Sequence, residues 1–158
     1  MKRIICIFIL MSFVACFSAC GNKTDDNLTL VRHFGQEKVA EMELKCTDES
    51  QLNIANALVA QAKQILSYCG TENDIDISGT YALKEYHSFD KDVIKSDVDI
   101  ELITTNQKDG KGYVWVKYSV KSYGNDNRLI SGSGDIYSRW NIEEQNGAWI
   151  VTSIDEIK

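Results

Sequence analysis

Hydrophobic and polar positions change their spacing several times along this chain, and each change marks a different kind of segment. Residues 4–17 are almost purely apolar and follow two positive charges, Lys2 and Arg3. That run is shorter than the stretch of about 20 residues a membrane-crossing helix needs. A charged start, a short apolar middle and small residues at the end describe a secretory leader. Asn22, Lys23, Thr24, Asp25, Asp26 and Asn27 follow with no apolar period, the composition of a polar tether. Between residues 30 and 46 two periods compete. Leu30, Val31, Phe34 and Val39 fit a helix, whereas Ala40, Met42, Leu44 and Cys46 alternate with Glu41, Glu43 and Lys45 as in a strand. A helix is expected for the first part, and residues 41–46 stay open between the two.

The next segment has one reading. Asp48, Glu49 and Ser50 supply an N-cap and an acidic first turn, and Leu52, Ala55, Leu58, Ala62, Ile65 and Cys69 recur at helical spacing before Gly70. Ile54, Val59 and Leu66 widen the stripe, as suits a helix packed on a sheet. Beyond it the period becomes two. Ile75, Ile77, Tyr81 and Leu83 form a first alternating run; Ile94, Val98, Ile100 and Leu102 a second; Val114, Val116, Tyr118 and Val120 a third. Ile136, Trp140 and Ile142 share one side of a fourth, and residues 148–157 make a fifth. One oily and one wet face per run is the mark of antiparallel strands covered on a single side. Asp109-Gly110 and Asn146-Gly147 are hairpin signals, as is the segment from Tyr123 through Asn127, so the last three strands form a meander. Gly132 and Gly134 interrupt the fourth run where a bulge would let the sheet curl. The expected class is α+β: an amphipathic helix packed on a curved antiparallel sheet of about five strands.

Composition narrows the setting. Among 158 residues there are 17 basic and 23 acidic side chains, and loss of residues 1–19 takes Lys2 and Arg3 with it, leaving 15 against 23 and a balance of −8. Such a surface argues against nucleic acid as a partner. The chain divides into a leader (1–19), a tether (20–29) and a single domain (30–158). Of the five cysteines, Cys6 and Cys16 fall in the leader and Cys20 at its end, which leaves Cys46 and Cys69. A helix over 51–68 would hold these apart by about 27 Å at 1.5 Å per residue, against about 7 Å for bridged Cα atoms, so free thiols are expected.

Ser18-Ala19-Cys20-Gly21 resembles the lipobox of bacterial lipoproteins, with Phe17 where the family carries an aliphatic residue. The resemblance implies cleavage before Cys20, lipid on that cysteine, and a place in the cell envelope on the extracytoplasmic side of a membrane. The long helix, the curling sheet and the closing Asn146-Gly147-Ala148-Trp149-Ile150-Val151-Thr152-Ser153-Ile154 are similar to the nuclear-transport-factor-like fold, a cystatin-like α+β cone. That fold encloses a pocket between helices and sheet. Some of its members, the ketosteroid isomerases and polyketide cyclases, place an Asp or His base there; many only bind, dimerise or scaffold.

Candidate chemistry is sparse. His33 and His87 are the only histidines, and Asp135 is the acid considered for a cone interior. Asp97, Asp99 and Glu101 line one strand face, which does not wrap a calcium ion and its typical shell of about six to eight oxygens; Asn73, Asp74 and Asp76 form a loop cluster with too few ligands. No cofactor or metal is expected. Tyr113, Trp115 and Tyr123 lie opposite the aliphatic face of the third run, with Tyr137 placed likewise on the fourth. They form a candidate strip for a ligand, a protein partner or a homodimer. The expected function is a lipid-anchored binding or scaffolding domain without catalysis that recognises a protein or small ligand. The alternative is a cone-pocket enzyme using Asp135 or a histidine as base.

Overall fold

The computed structural model describes residues 23–70, 75, 77, 80–86 and 90–157. The leader, Cys20, His87 and the cluster of Asn73, Asp74 and Asp76 lie outside them. Three helices, α1 (Lys23–Phe34), α2 (Gln36–Glu41) and α3 (Glu49–Ser67), precede a 3₁₀ segment at Tyr81–Tyr86. Four strands follow: β1 (Lys95–Lys108), β2 (Lys111–Tyr123), β3 (Leu129–Gln145) and β4 (Ala148–Glu156). They form one curved antiparallel sheet in the order β1-β2-β3-β4. The fold is thus α+β with a meander sheet.

Local chemistry accounts for the well-defined elements. Asp48 caps α3 by accepting hydrogen bonds from the backbone N–H groups of Ser50 at 2.9 Å and Gln51 at 3.1 Å. The helix stops at Ser67, earlier than Gly70, because Tyr68 turns extended. Asp109-Gly110 and Asn146-Gly147 close their hairpins with positive φ at both residues, 53° and 75° for the first and 54° and 81° for the second, as a two-residue type I′ turn requires.

The sheet separates two cores. On one face Val114, Val116, Trp140, Ile142 and Val151 pack against Ala55, Leu58, Ala62 and Ile65 of α3, with Leu83 of the 3₁₀ segment completing the cluster. On the other face Trp115 packs with Leu30 and Phe34 of α1, while Val39 and Met42 border them. A bulge between Leu102 and Thr104 turns both Ile103 and Thr104 toward the Trp115 side; there the Thr104 hydroxyl donates to the Leu44 carbonyl at 2.5 Å. β2 is therefore buried on both faces through residues 114–116.

Three expectations change. The sheet has four strands, because the first alternating run ends in the 3₁₀ segment. There Leu83 is fully buried while Tyr81 is 50% exposed, and Leu83 and Tyr86, three apart and hence eclipsed in a 3₁₀ helix, both pack on the core. Residues 23–29, read as tether, form the first turns of α1; the remainder of the tether lies outside the described residues. Residues 42–48 are neither helix nor strand beyond the last turn of α2. Cys46 and Cys69 are free and lie just beyond opposite ends of α3.

Replacing the α3 cap is expected to cost about 1 kcal/mol. Urea denaturation of Asp48→Ala should show a lower midpoint with an unchanged slope.

Candidate functional site

β3 is longer than its neighbour. β4 pairs only with residues 138–145 of β3, whereas β2 pairs with β3 back to Leu129. Beyond Tyr137, whose carbonyl accepts from the Ile157 N–H at 3.4 Å, residues 129–136 carry no strand on their outer side among the described residues. Ser131, Gly132, Ser133, Gly134 and Asp135 are all exposed. One-residue bulges at Ile130 and at Gly134–Asp135 bracket the regular piece at residues 131–133. In the second bulge Asp135 has φ 56° and donates its N–H to the Ser119 hydroxyl at 3.2 Å.

Two hollows meet at this bare segment. One, of about 660 Å³, runs on the α1 side between Asp26, Leu30, Lys117, Tyr137 and Ile157. The other, of about 260 Å³, opens on the α3 side and is lined with the hydroxyls of Ser96, Ser122, Ser131 and Ser133 and the carboxylates of Glu85 and Asp90. Tyr118, Ser133, Ile136 and Glu156 line both.

Their shared floor is a closed polar network. Tyr118 donates its hydroxyl to Glu156 Oε2 at 3.0 Å, and Tyr86 lies 3.3 Å from the same oxygen. Tyr86 also meets the Ser138 hydroxyl at 3.0 Å, and the Trp140 indole N–H donates to Tyr86 at 2.8 Å and to Ser138 at 3.0 Å. Burial, reinforced by Glu156, pushes both tyrosine hydroxyls well above their ordinary range. They stay neutral donors, and the carboxylate is fixed in place.

The opposite face holds a charged clamp. Arg139 Nε and Nη2 donate to Glu41 at 2.7 and 2.8 Å, and the Trp115 indole N–H donates to Glu41 Oε2 at 2.8 Å. The Arg139 side chain is 11% exposed and that of Glu41 21%, and the guanidinium lies 4.8 Å from the centre of the Tyr113 ring. Burial beside Glu41 also raises the Tyr113 hydroxyl. A second link joins the same layers: Asp155 of β4 accepts from Lys38 at 3.0 Å and pairs with His33 at 3.0 Å. Burial opposes ionisation of Asp155, and these two partners overcome it, holding its carboxyl below the usual range.

The structure places the expected site residues as follows. Tyr113, Trp115 and Tyr137 do share a face, but α1 and α2 cover its centre, so the four aromatics are not a continuous exposed strip. Trp115 is fully buried, with its ring centre 4.8 Å from that of Phe34. Tyr123 sits apart at the end of β2, beneath Lys95. Burying both faces of β2 required a second helical layer, and the competing periods of residues 30–46 concealed it. Asp135 is not interior: its side chain is 79% exposed and meets Lys117 at 2.6 Å. His33 lies on α1 in the pair with Asp155, away from the hollows described above. Asp97 pairs with Lys95 at 2.8 Å on the solvated face of β1. The sequence pattern assigned no site role to Glu41, Arg139, Tyr86 or Glu156. For Arg139 a cue was present, since its position shares the face of Tyr113 and Trp115 and pairs with Trp115 across the strands.

No protein-family model, characterised protein or solved structure matches this chain.

Removing Glu41 leaves a buried guanidinium with no counter-charge, so Glu41→Ala should lose about 3 kcal/mol by urea denaturation. Replacing both partners by Leu and Met should recover only part of it, because the Trp115 indole N–H still lacks its acceptor. Because the folded values of Tyr86 and Tyr118 lie above that of an unfolded tyrosine, near about 10, their neutral hydroxyls stabilise the fold fully below that pH. The contribution is lost as pH rises through the folded values. In an ultraviolet titration of the native protein, two of the seven tyrosines should fail to ionise with the rest, and Tyr118→Phe should remove one of these late steps.

Proposed function

We propose that this chain is a lipid-anchored, extracytoplasmic binding domain of the nuclear-transport-factor-like kind, held in the cell envelope through Cys20 and without catalysis of its own. The anchor rests on the sequence: two cations, a short apolar run and Ser18-Ala19-Cys20-Gly21. Several acyl chains at about 0.8 kcal/mol per buried CH₂ would hold it stably. Charge would not, since the mature chain is acidic and anionic lipid repels it.

The binding half of the reading is carried by one observation: two hollows converge on an uncovered length of β3 at the open end of the sheet. A concave, partly apolar site with a few converging polar groups is where a ligand is expected. The groups there are suited to recognition. Tyr86 and Tyr118 are held neutral, Glu156 is immobilised by both, and the serine hydroxyls can each donate or accept. A four-stranded meander crossed by one long helix is the arrangement that supports the cone-like assignment, and the two N-terminal helices supply the outer layer.

Cells grown on labelled palmitate should incorporate label into the wild-type chain and none into Cys20→Ser. A full-length, unlabelled wild-type chain recovered from the cytosol would overturn the anchor.

A further inference from the structure

Gly132 and Gly134 are not explained by the fold that contains them. Neither has a backbone conformation that L side chains avoid, and a Cβ at either position would meet its nearest neighbours at 3.7 Å, ordinary contact. A larger residue would fit there and would stabilise a strand better, since glycine in a strand interior weakens it. Glycine at such places also marks the close approach of another backbone. The same segment is the one whose outer side carries no strand among the described residues, and its flanking side chains are serines. Exposed edges are commonly guarded by charged side chains, proline or bulges. Residues 129–136 contain neither lysine nor proline, and their two bulges and Asp135 leave residues 131–133 regular and uncharged between them.

From this juxtaposition we propose that β3 is a docking edge for an extended, basic polypeptide segment, which adds a short strand centred beside Gly132. This deepens the binding-domain reading above and rests on it. Strand addition takes its affinity from main-chain hydrogen bonds and its selectivity from pockets for alternate side chains. Both are present: successive side chains of an added strand point to opposite faces of the sheet, and one hollow lies on each face of this edge. The α1-side hollow offers Leu30, Tyr137 and Ile157 to apolar side chains. Charge selects the rest. The two hollows carry Asp26, Glu85, Asp90, Asp135 and Glu156 against a single cation, Lys117, and Lys117 is already paired with Asp135. The bulges on either side limit the docked register to a few residues.

The test uses the protein purified in detergent from membranes and three dye-labelled heptapeptides read by fluorescence anisotropy. The first alternates Val and Lys, the second replaces each Lys by Glu, and the third repeats the first with alternate backbone amides N-methylated. The Val/Lys peptide should bind at least about tenfold more tightly than its Glu counterpart, and N-methylation should abolish binding. Amide exchange at residues 131–133 should slow at least about tenfold in the complex. Gly132→Leu, whose Cβ has room in the fold, and Ser133→Lys, which adds a cation at the edge, should each weaken binding at least about tenfold without lowering the thermal midpoint. Equal binding of the Lys and Glu peptides, indifference to N-methylation, no binding, or an edge already closed by a second copy in sedimentation would each overturn the docking edge. A chain that takes palmitate on Cys20 but fails these arms keeps its place as an anchored domain. One that passes them without lipid loses only the anchor.

Discussion

A single carboxylate, that of Glu41 at the end of α2, pins the outer helical layer of α1 and α2 to the centre of the sheet. It grips the Arg139 guanidinium with both oxygens and takes the Trp115 indole N–H as well. Each partner needs it. Trp115 is fully buried, and an indole N–H with no acceptor there would be costly. Arg139 is close to buried and cannot shed its charge. Two side chains from adjacent strands thus fix where the end of α2 must lie. The chain on either side of that point then seals the face: Phe34 lies against Trp115 from α1, and the Leu44 carbonyl takes the Thr104 hydroxyl.

The two faces of the sheet are consequently held by different physics. Against α3 the contact is aliphatic, with small residues Ala55 and Ala62 letting the helix approach Val114, Val116 and Ile142. Polar links enter toward its ends: Gln107 of β1 donates its backbone N–H and its side-chain amide to Gln51 of α3, and a second network runs through Tyr86, Tyr118, Ser138, Trp140 and Glu156. Against α1 and α2 the contact is aromatic at its centre and ionic around it, with Glu41 and Asp155 each accepting from basic side chains across the interface. Association of the second kind is sensitive to salt and pH at its exposed margin, where Asp155, Lys38 and His33 are wet, and much less so beneath α2. The outer layer can therefore loosen at its rim without disturbing the α3 core.

Among the described residues β4 stops short of one end of the sheet. There β3 runs on past the last residue of β4 to which it pairs, and the hollows on either side of it meet at Tyr118, Ser133, Ile136 and Glu156. The bulges at Ile130 and at Gly134–Asp135 twist this overhang. The rigid part of the site is its floor, because Glu156 is held by two neutral tyrosines whose own positions are set by Trp140 and Ser138. The adaptable part is its rim, built of glycine, serine and exposed carboxylates. A preformed floor with a bare backbone rim is suited to a partner that supplies its own strand.

Local signals along the chain were enough for the elements whose chemistry is complete within a few neighbouring residues. The Asp48 cap, the apolar stripe of α3 and the two hairpins at Asp109-Gly110 and Asn146-Gly147 are of this kind, since a capped turn or a type I′ loop contains all its own partners. The alternation also put Val114, Val116 and Tyr118 of β2 and Ile136, Trp140 and Ile142 of β3 on one face, as found, because a strand keeps a period of two between its bulges. In β4 the extra residue at Thr152 brings both Val151 and Ile154 to that core. What covers a face is a different matter. Tyr113, Trp115 and Tyr137 share one side by parity alone, yet whether that side is open or sealed depends on Leu30, Phe34 and Glu41, roughly seventy to a hundred residues earlier in the chain. The run at Tyr81 and Leu83 alternates as a strand would, but with Leu83 and Tyr86 drawn onto the core beside β4 it forms a 3₁₀ segment. Asp135 stands next to Ile136 in sequence and is thrown into solvent by a bulge. Sequence alone determined the helix, the hairpins and the common side of the apolar residues along each unbulged stretch of strand, since those follow from backbone geometry over a turn or two. Only the tertiary structure decided which face is buried, which charge is paired and which edge is left bare, because each depends on a partner that lies far away along the chain.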